Sequence, residues 1–234
     1  MNRPGAVLLL GAVAAVLAAP VQAKERRRPA GVGTANPSAL IAGEIAFARA
    51  AREKGQWTAF RKFADDEAVM FVPQPVMAKD WLSGRKDPAQ AVQWEAYQVW
   101  MSCDGTLGVT KGAWHAPNGT HGYFTTIWKQ HKKGDYRWVL DQGDTTVEPV
   151  RKPDWLTAVV ADCPARGTRR PPAPDEREKL TRAGMDGSGK SDDGTLAWAY
   201  HVAPDNARTL SVSLSKGGAM KQVLALSVPA AKYP

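Results

Sequence analysis

Apolar positions change their period along this chain. After Pro37-Ser38, with Ser38 as the candidate cap, Leu40, Ile41, Ile45, Phe47 and Ala48 recur at helical spacing until Gly55 stops the run. Trp57, Phe60, Phe63 and Ala64 fall on one stripe of a second, short helix. Residues 68–72 read as a short apolar strand ended by Pro73 and Pro75, and residues 78–83 as one or two further helical turns. Beyond Pro88 the pattern becomes long strands at 92–102, 107–115, 121–132 and 136–147. Asp104-Gly105, Asn118-Gly119 and Lys133-Gly134-Asp135 supply tight turns between them. Helices first and an antiparallel meander afterwards predict an α+β fold, with N-terminal helices packed on the sheet.

Residues 151–194 read as a connector with short helices at 155–160 and 176–183 and a proline-rich stretch at 169–174. In 195–234 the alternation returns. Leu196, Trp198 and Tyr200 alternate with Ala197, Ala199 and His201, and Leu210, Val212 and Leu214 alternate with serines. Turns at Asp205-Asn206 and Gly217-Gly218 make this a three-stranded antiparallel tail, a C-terminal β-meander too small to stand alone and expected to pack on the main sheet.

The first 23 residues carry an export signal: Arg3, an uncharged apolar run over 6–19, and Val21-Gln22-Ala23 at the cleavage site. The run is shorter than the roughly 20 residues a span needs, so no stable membrane span is expected after cleavage. Residues 24–37 then form a basic, Gly/Pro-containing leader. A periplasmic or secreted location follows, and it turns Cys103 and Cys163, the chain's 2 cysteines, into a candidate disulfide. The formal charge of +8 is concentrated partly at 24–28 and otherwise dispersed among acids. That favours a solvated basic surface over a nucleic-acid binder. Nine tryptophans in 234 residues suit a core or an aromatic-lined cavity.

Particular phrases within residues 41–144 resemble the nuclear-transport-factor-2-like superfamily, in its SnoaL-like, exported bacterial branch. They are Phe60-Arg61-Lys62-Phe63-Ala64-Asp65-Asp66 with Ala68-Val69-Met70-Phe71, then Gly105-Thr106-Leu107-Gly108-Val109-Thr110-Lys111-Gly112. Gly122-Tyr123-Phe124-Thr125-Thr126-Ile127-Trp128 and Tyr136-Arg137-Trp138-Val139-Leu140-Asp141 follow. These are fold markers, not catalytic signatures, and span a little under half of the chain. The resemblance implies residues 38–150 folded as a cystatin-like cone, a strongly curved antiparallel sheet closed by helices, with a pocket at its open end. Members include isomerases, dehydratases, polyketide cyclases, epoxide hydrolases and non-catalytic binding or dimerisation domains, so fold does not settle function.

Gly184-Met185-Asp186-Gly187-Ser188-Gly189-Lys190-Ser191 matches the nucleotide-binding P-loop string. It lacks the strand before and the helix after that give that motif its phosphate cradle, and three aspartates nearby would repel phosphate, so it reads as a flexible Gly/Ser loop. The same acids lack calcium-loop spacing. A two-residue Asn118-Gly119 turn would set His115 and His121 on opposite faces, and no metal or cofactor is expected. Phe124, Thr126 and Trp128 share one strand face, taken as cavity-lining by the resemblance, with core filling as the alternative. Asp141 interrupts the apolar run of the last strand, where a carboxylate needs water, a partner or a function. Two functions stand: binding of a small apolar ligand by Phe124, Thr126, Trp128 and Asp141, or homodimerisation. The alternative is an isomerase, dehydratase or hydrolase using Asp141 as acid/base.

Overall fold

The computed structural model describes residues 34–131, 134–163 and 185–230. The export signal, most of the leader, the proline-rich stretch and the helix expected at 176–183 lie outside the described residues. Among the described residues no helix is long and apolar enough to cross a membrane.

Helix α1 runs Pro37–Lys54 and α2 Gln56–Phe63. Asn36, not Ser38, caps α1: its side chain accepts from Ala39 N at 3.1 Å, and Pro37 opens the first turn. Gly55 (φ 105) separates the two helices, and a β-carbon there would collide with the Asp87 carboxylate. That carboxylate caps α2, accepting from Thr58 N at 3.0 Å and Thr58 Oγ1 at 2.6 Å. Strands β1 (Ala64–Phe71) and β2 (Pro75–Met77), helix α3 (Ala78–Leu82), and strands β3 (Gln93–Met101), β4 (Leu107–His115), β5 (His121–Gln130), β6 (Tyr136–Thr145) and β7 (Thr157–Val160) follow.

The first sheet has the order β2-β1-β6-β5-β4-β3-β7. It is mixed rather than purely antiparallel, because β1 pairs with β6 and β7 with β3 in parallel. The helix expected at 155–160 is instead β7: Thr157, Val159 and Val160 are β-branched, and the edge of β3 at Gln98–Met101 offers them a ladder. Three register shifts interrupt its ladders: one between Ala64 and Val69 of β1 against β6, one leaving Tyr97 of β3 unpaired against β4, and one leaving Val139 of β6 unpaired against β5. Two strand glycines hold rings flat on it. A β-carbon at Gly112 would stand 2.5 Å from the Phe124 ring, and one at Gly122 would stand 2.7 Å from that of Trp114.

Strands β8 (Asp186–Lys190), β9 (Leu196–Val202), β10 (Arg208–Lys216) and β11 (Ala219–Val228) form a second, antiparallel sheet of order β11-β10-β9-β8. It has four strands, not three. The stretch read as a flexible Gly/Ser loop is its edge strand β8, where Gly187 gives the Tyr200 ring room to lie across the pair. No helix follows it, so no phosphate cradle forms.

Each face of the first sheet is buried. Leu40, Phe47, Met70, Leu82, Trp128 and Trp138 fill the space under the helices. Leu107, Val109, Ile127 and Leu140 meet Leu196, Trp198, Leu210, Val212 and Leu214 on the other side. The Cys103–Cys163 disulfide (Cα–Cα 5.2 Å) ties the β3–β4 turn to the residues after β7. In the β9–β10 turn Asn206 holds φ 71, a conformation open to Asn but costly for Ala. Asn206→Ala is expected to lower stability by about 1 kcal/mol, and Asn206→Gly to leave it unchanged, both read by urea titration; equal losses in the two variants would refute the backbone account.

Candidate functional site

Between α2 and the concave face of the sheet lies a cavity of about 380 Å³ walled by Phe47, Trp57, Phe60, Trp94, Trp114 and Phe124. Phe47 organises the wall, with ring contacts to Phe60 at 4.9 Å and Trp94 at 4.8 Å. Asp141 stands in this wall, paired with Met70 of β1 on one side and Thr126 of β5 on the other. Its central position in the sheet surrounds it with protein, while part of its surface stays open to the cavity. Thr126 Oγ1 donates to Asp141 Oδ2 at 2.7 Å, the carboxylate's one hydrogen bond among the described residues. Burial pushes the Asp141 carboxyl up to about 6, against the opposing pull of that bond.

Phe124 and Asp141 thus reach the cavity, and Thr126 stands directly behind Asp141, 1% exposed. Trp128 does not line it: on the same strand face it lies one layer deeper, fully buried, with Nε1 donating to Thr110 Oγ1 at 2.9 Å. A period of two assigns a face but not a depth.

Glu44, not among the residues expected from the sequence, is a second buried carboxyl. It lies on the buried stripe of α1 with Leu40, Phe47, Ala48 and Ala51, whereas Ile45, counted there on sequence grounds, is 53% exposed. An acid spaced i, i+4 and i−3 from buried apolar residues was the available signal. Trp94 Nε1 donates to Glu44 Oε1 at 2.8 Å and Thr110 Oγ1 to Oε2 at 2.6 Å. Burial first, and then the negative charge of Asp141, push the Glu44 carboxyl up to about 7; its hydrogen bonds oppose the rise. Glu44 also touches a second cavity, of about 520 Å³, between α1 and the open end of β3. The Trp94 indole lines both cavities and so stands between them. Two buried carboxyls that titrate near neutrality can accept hydrogen bonds or hold and release a proton.

The histidine register differs from the expectation. The loop after β4 spans five residues, closed by Ala116 N donating to Thr120 O at 2.8 Å, and His115 pairs directly with His121 on one face. Even so, no group of three His, Cys, Asp or Glu among the described residues could hold a metal ion.

No family model matches this chain, and no curated protein does. Among solved structures it is similar to the S. rosetta CaMKII hub, at 17% identity and TM-score 0.36, over 48% of this chain and 98% of the hub. It is also similar to a candidate ketosteroid isomerase from Parabacteroides distasonis ATCC 8503, at 9% identity and TM-score 0.38, over 49% of this chain and 96% of that one. At such identities and scores neither likeness carries an activity, a ligand or an assembly over to this chain.

Proposed function

We propose that residues 38–150 are a nuclear-transport-factor-2-like cone, in an exported protein, that binds a small, largely apolar molecule bearing one hydrogen-bond donor. The observation that carries this reading is an aromatic cavity with the partly open Asp141 carboxylate, braced by Thr126, in a wall that Asp144 also lines. The rings would bury the apolar body of the ligand, and Asp141, braced by Thr126, would take its hydroxyl. Export is supported by Arg3, the apolar run at 6–19 and Val21-Gln22-Ala23, and agrees with the Cys103–Cys163 disulfide.

A small aromatic alcohol such as 2-naphthol is the direct probe, with binding read by its fluorescence at pH 8. A hydrogen bond to a charged group contributes about 1.5–3 kcal/mol, so Asp141→Asn is expected to weaken binding roughly 10- to 100-fold. Affinity in the parent is expected to fall as pH drops through about 6, where Asp141 takes a proton. Equal affinity in parent and variant, or no binding at all, would sink the reading.

The near-neutral Asp141 and Glu44 favour one second reading, acid/base chemistry on a bound carbonyl compound, with Asp141 as the base. Its mark is faster exchange of the α-protons of 2-tetralone for deuterium, followed by NMR. An exchange rate equal to that of buffer, with 2-naphthol still bound, would leave a binding protein and remove the enzyme.

A further inference from the structure

Two six-residue stretches of this chain differ at one position: Ser102-Cys103-Asp104-Gly105-Thr106-Leu107 and Ser191-Asp192-Asp193-Gly194-Thr195-Leu196. Each turns one antiparallel pair of strands, β3–β4 in the first sheet and β8–β9 in the second. Their hydrogen bonds are the same. Asp104 Oδ1 accepts from Ser102 Oγ at 2.7 Å, Thr106 N at 3.0 Å and Thr106 Oγ1 at 2.8 Å. Asp193 Oδ1 accepts from Ser191 Oγ at 2.7 Å, Thr195 N at 3.0 Å and Thr195 Oγ1 at 2.8 Å.

The likeness continues into the next hairpin. Ala116-Pro117-Asn118-Gly119-Thr120 is answered by Ala203-Pro204-Asp205-Asn206-Ala207, each loop closed by a 2.8 Å bond from its first N–H to its last carbonyl. The fourth residue is left-handed in both, Gly119 at φ 87 and Asn206 at φ 71. Strand orders match as well, β6-β5-β4-β3 against β11-β10-β9-β8.

The two turns also touch, and they do so reciprocally. Asp104 N donates to Asp193 Oδ2 at 2.9 Å, and Asp193 N to Asp104 Oδ2 at 2.8 Å. Cys103 N donates to Thr195 Oγ1 at 2.9 Å, and Asp192 N to Thr106 Oγ1 at 3.0 Å. Exchanging the turns maps each bond onto its counterpart, as in a two-fold contact between identical subunits, but within one chain. The meeting faces correspond too: Leu107 and Val109 on one side, Leu196 and Trp198 on the other, in one buried cluster.

We propose that β8–β11 is a second copy of the β3–β6 meander that occupies the seat of a partner subunit, and that its turn can be replaced there by the β3–β4 turn of a second copy of this chain. Each turn alone carries every donor and acceptor used across the contact: two N–H groups, a carboxylate oxygen and a threonine hydroxyl. The Ser-x-Asp-Gly-Thr-Leu turn is therefore self-complementary. Displacing β8–β11 would bare Trp100, Leu107, Val109, Ile127 and Leu140, an apolar surface that needs a cover.

The test is the molar mass of the full, disulfide-bonded chain, by sedimentation. Asp193→Lys removes the acceptor of Asp104 N and is expected to double the mass relative to the parent. Adding Asp104→Lys spoils the remaining turn and is expected to restore the parent mass. A parent-like mass in Asp193→Lys, or a doubled mass that Asp104→Lys leaves in place, overturns the proposal. Should Asp193→Lys precipitate, Thr195→Val, which removes the acceptor of Cys103 N and one donor to Asp193 Oδ1 but adds no charge, carries the same comparison. Precipitation of both also overturns it, since a self-complementary face would stop at a dimer.

Discussion

Replacing Glu44 with Gln is expected to stabilise the protein by about 3 kcal/mol at pH 8 and to change little near pH 4.5. The folded state raises the Glu44 carboxyl from its ordinary 4.5 to about 7, and so holds this proton more tightly than the unfolded chain does. The parent is accordingly most stable, as far as this group is concerned, below pH 4.5. It loses that contribution as pH rises towards 7 and has none further to lose above it. The substituted amide keeps an oxygen for Trp94 Nε1 and offers an N–H to Thr110, so the packing survives without the charge. Asp141 acts in the same direction over its own window, from 3.8 to about 6. Urea titrations at pH 5, 6.5 and 8 decide the matter. A variant advantage that does not grow with pH would show that Glu44 ionises as readily in the folded protein as in the unfolded chain.

Removing the disulfide is expected to cost more. The bond joins residues 60 apart, and the chain-entropy argument gives about 4 kcal/mol for a loop of that size. The double replacement Cys103→Ala with Cys163→Ala should lower Tm by roughly 10 °C, and a reducing agent should do the same to the parent. A loss under about 1 kcal/mol would mean that ordinary contacts already hold the segment after β7. Those contacts are Ala161 N to Met101 O at 2.8 Å, Gly217 N to Asp162 Oδ2 at 2.7 Å and Lys216 Nζ to Asp162 Oδ1 at 2.9 Å.

What could be read from the sequence follows the strength of its local pattern. α1, α2 and β3–β6 carry their periods over many residues and are bounded by Gly and Asn turn residues, so they were legible. β7 is four residues long, too short for helix and strand periods to differ. β8 has almost no apolar content and is a strand because β9 supplies the ladder and Tyr200 covers Gly187. The parallel pairing of β1 with β6 joins distant segments and leaves no local trace. In the site, Asp141 was visible because an acid in an apolar strand breaks the pattern. Glu44 was hidden because acids are ordinary on a helix, and only the depth of its stripe distinguishes it. The duplicated turn was present in the letters, but its meaning depends on the two copies touching.

The β1–β6 pairing has a bearing on how the chain assembles. Met70 lies beside Asp141, and between them the chain must complete α3, three long strands and their turns before β1 gains its parallel neighbour. Such distant pairings bear the loop-closure entropy before any contact repays it, and they are slow to form. Synthesised from the N-terminus, α1 precedes the strands it packs on, β3 and β4, and α2 precedes its partner β6 by a longer stretch. The partners that enclose Glu44, Trp94 and Thr110, stand on β3 and β4 and so precede β6 in the chain. Asp141 gains its neighbour Met70 only when the last strand of the meander slots in beside β1.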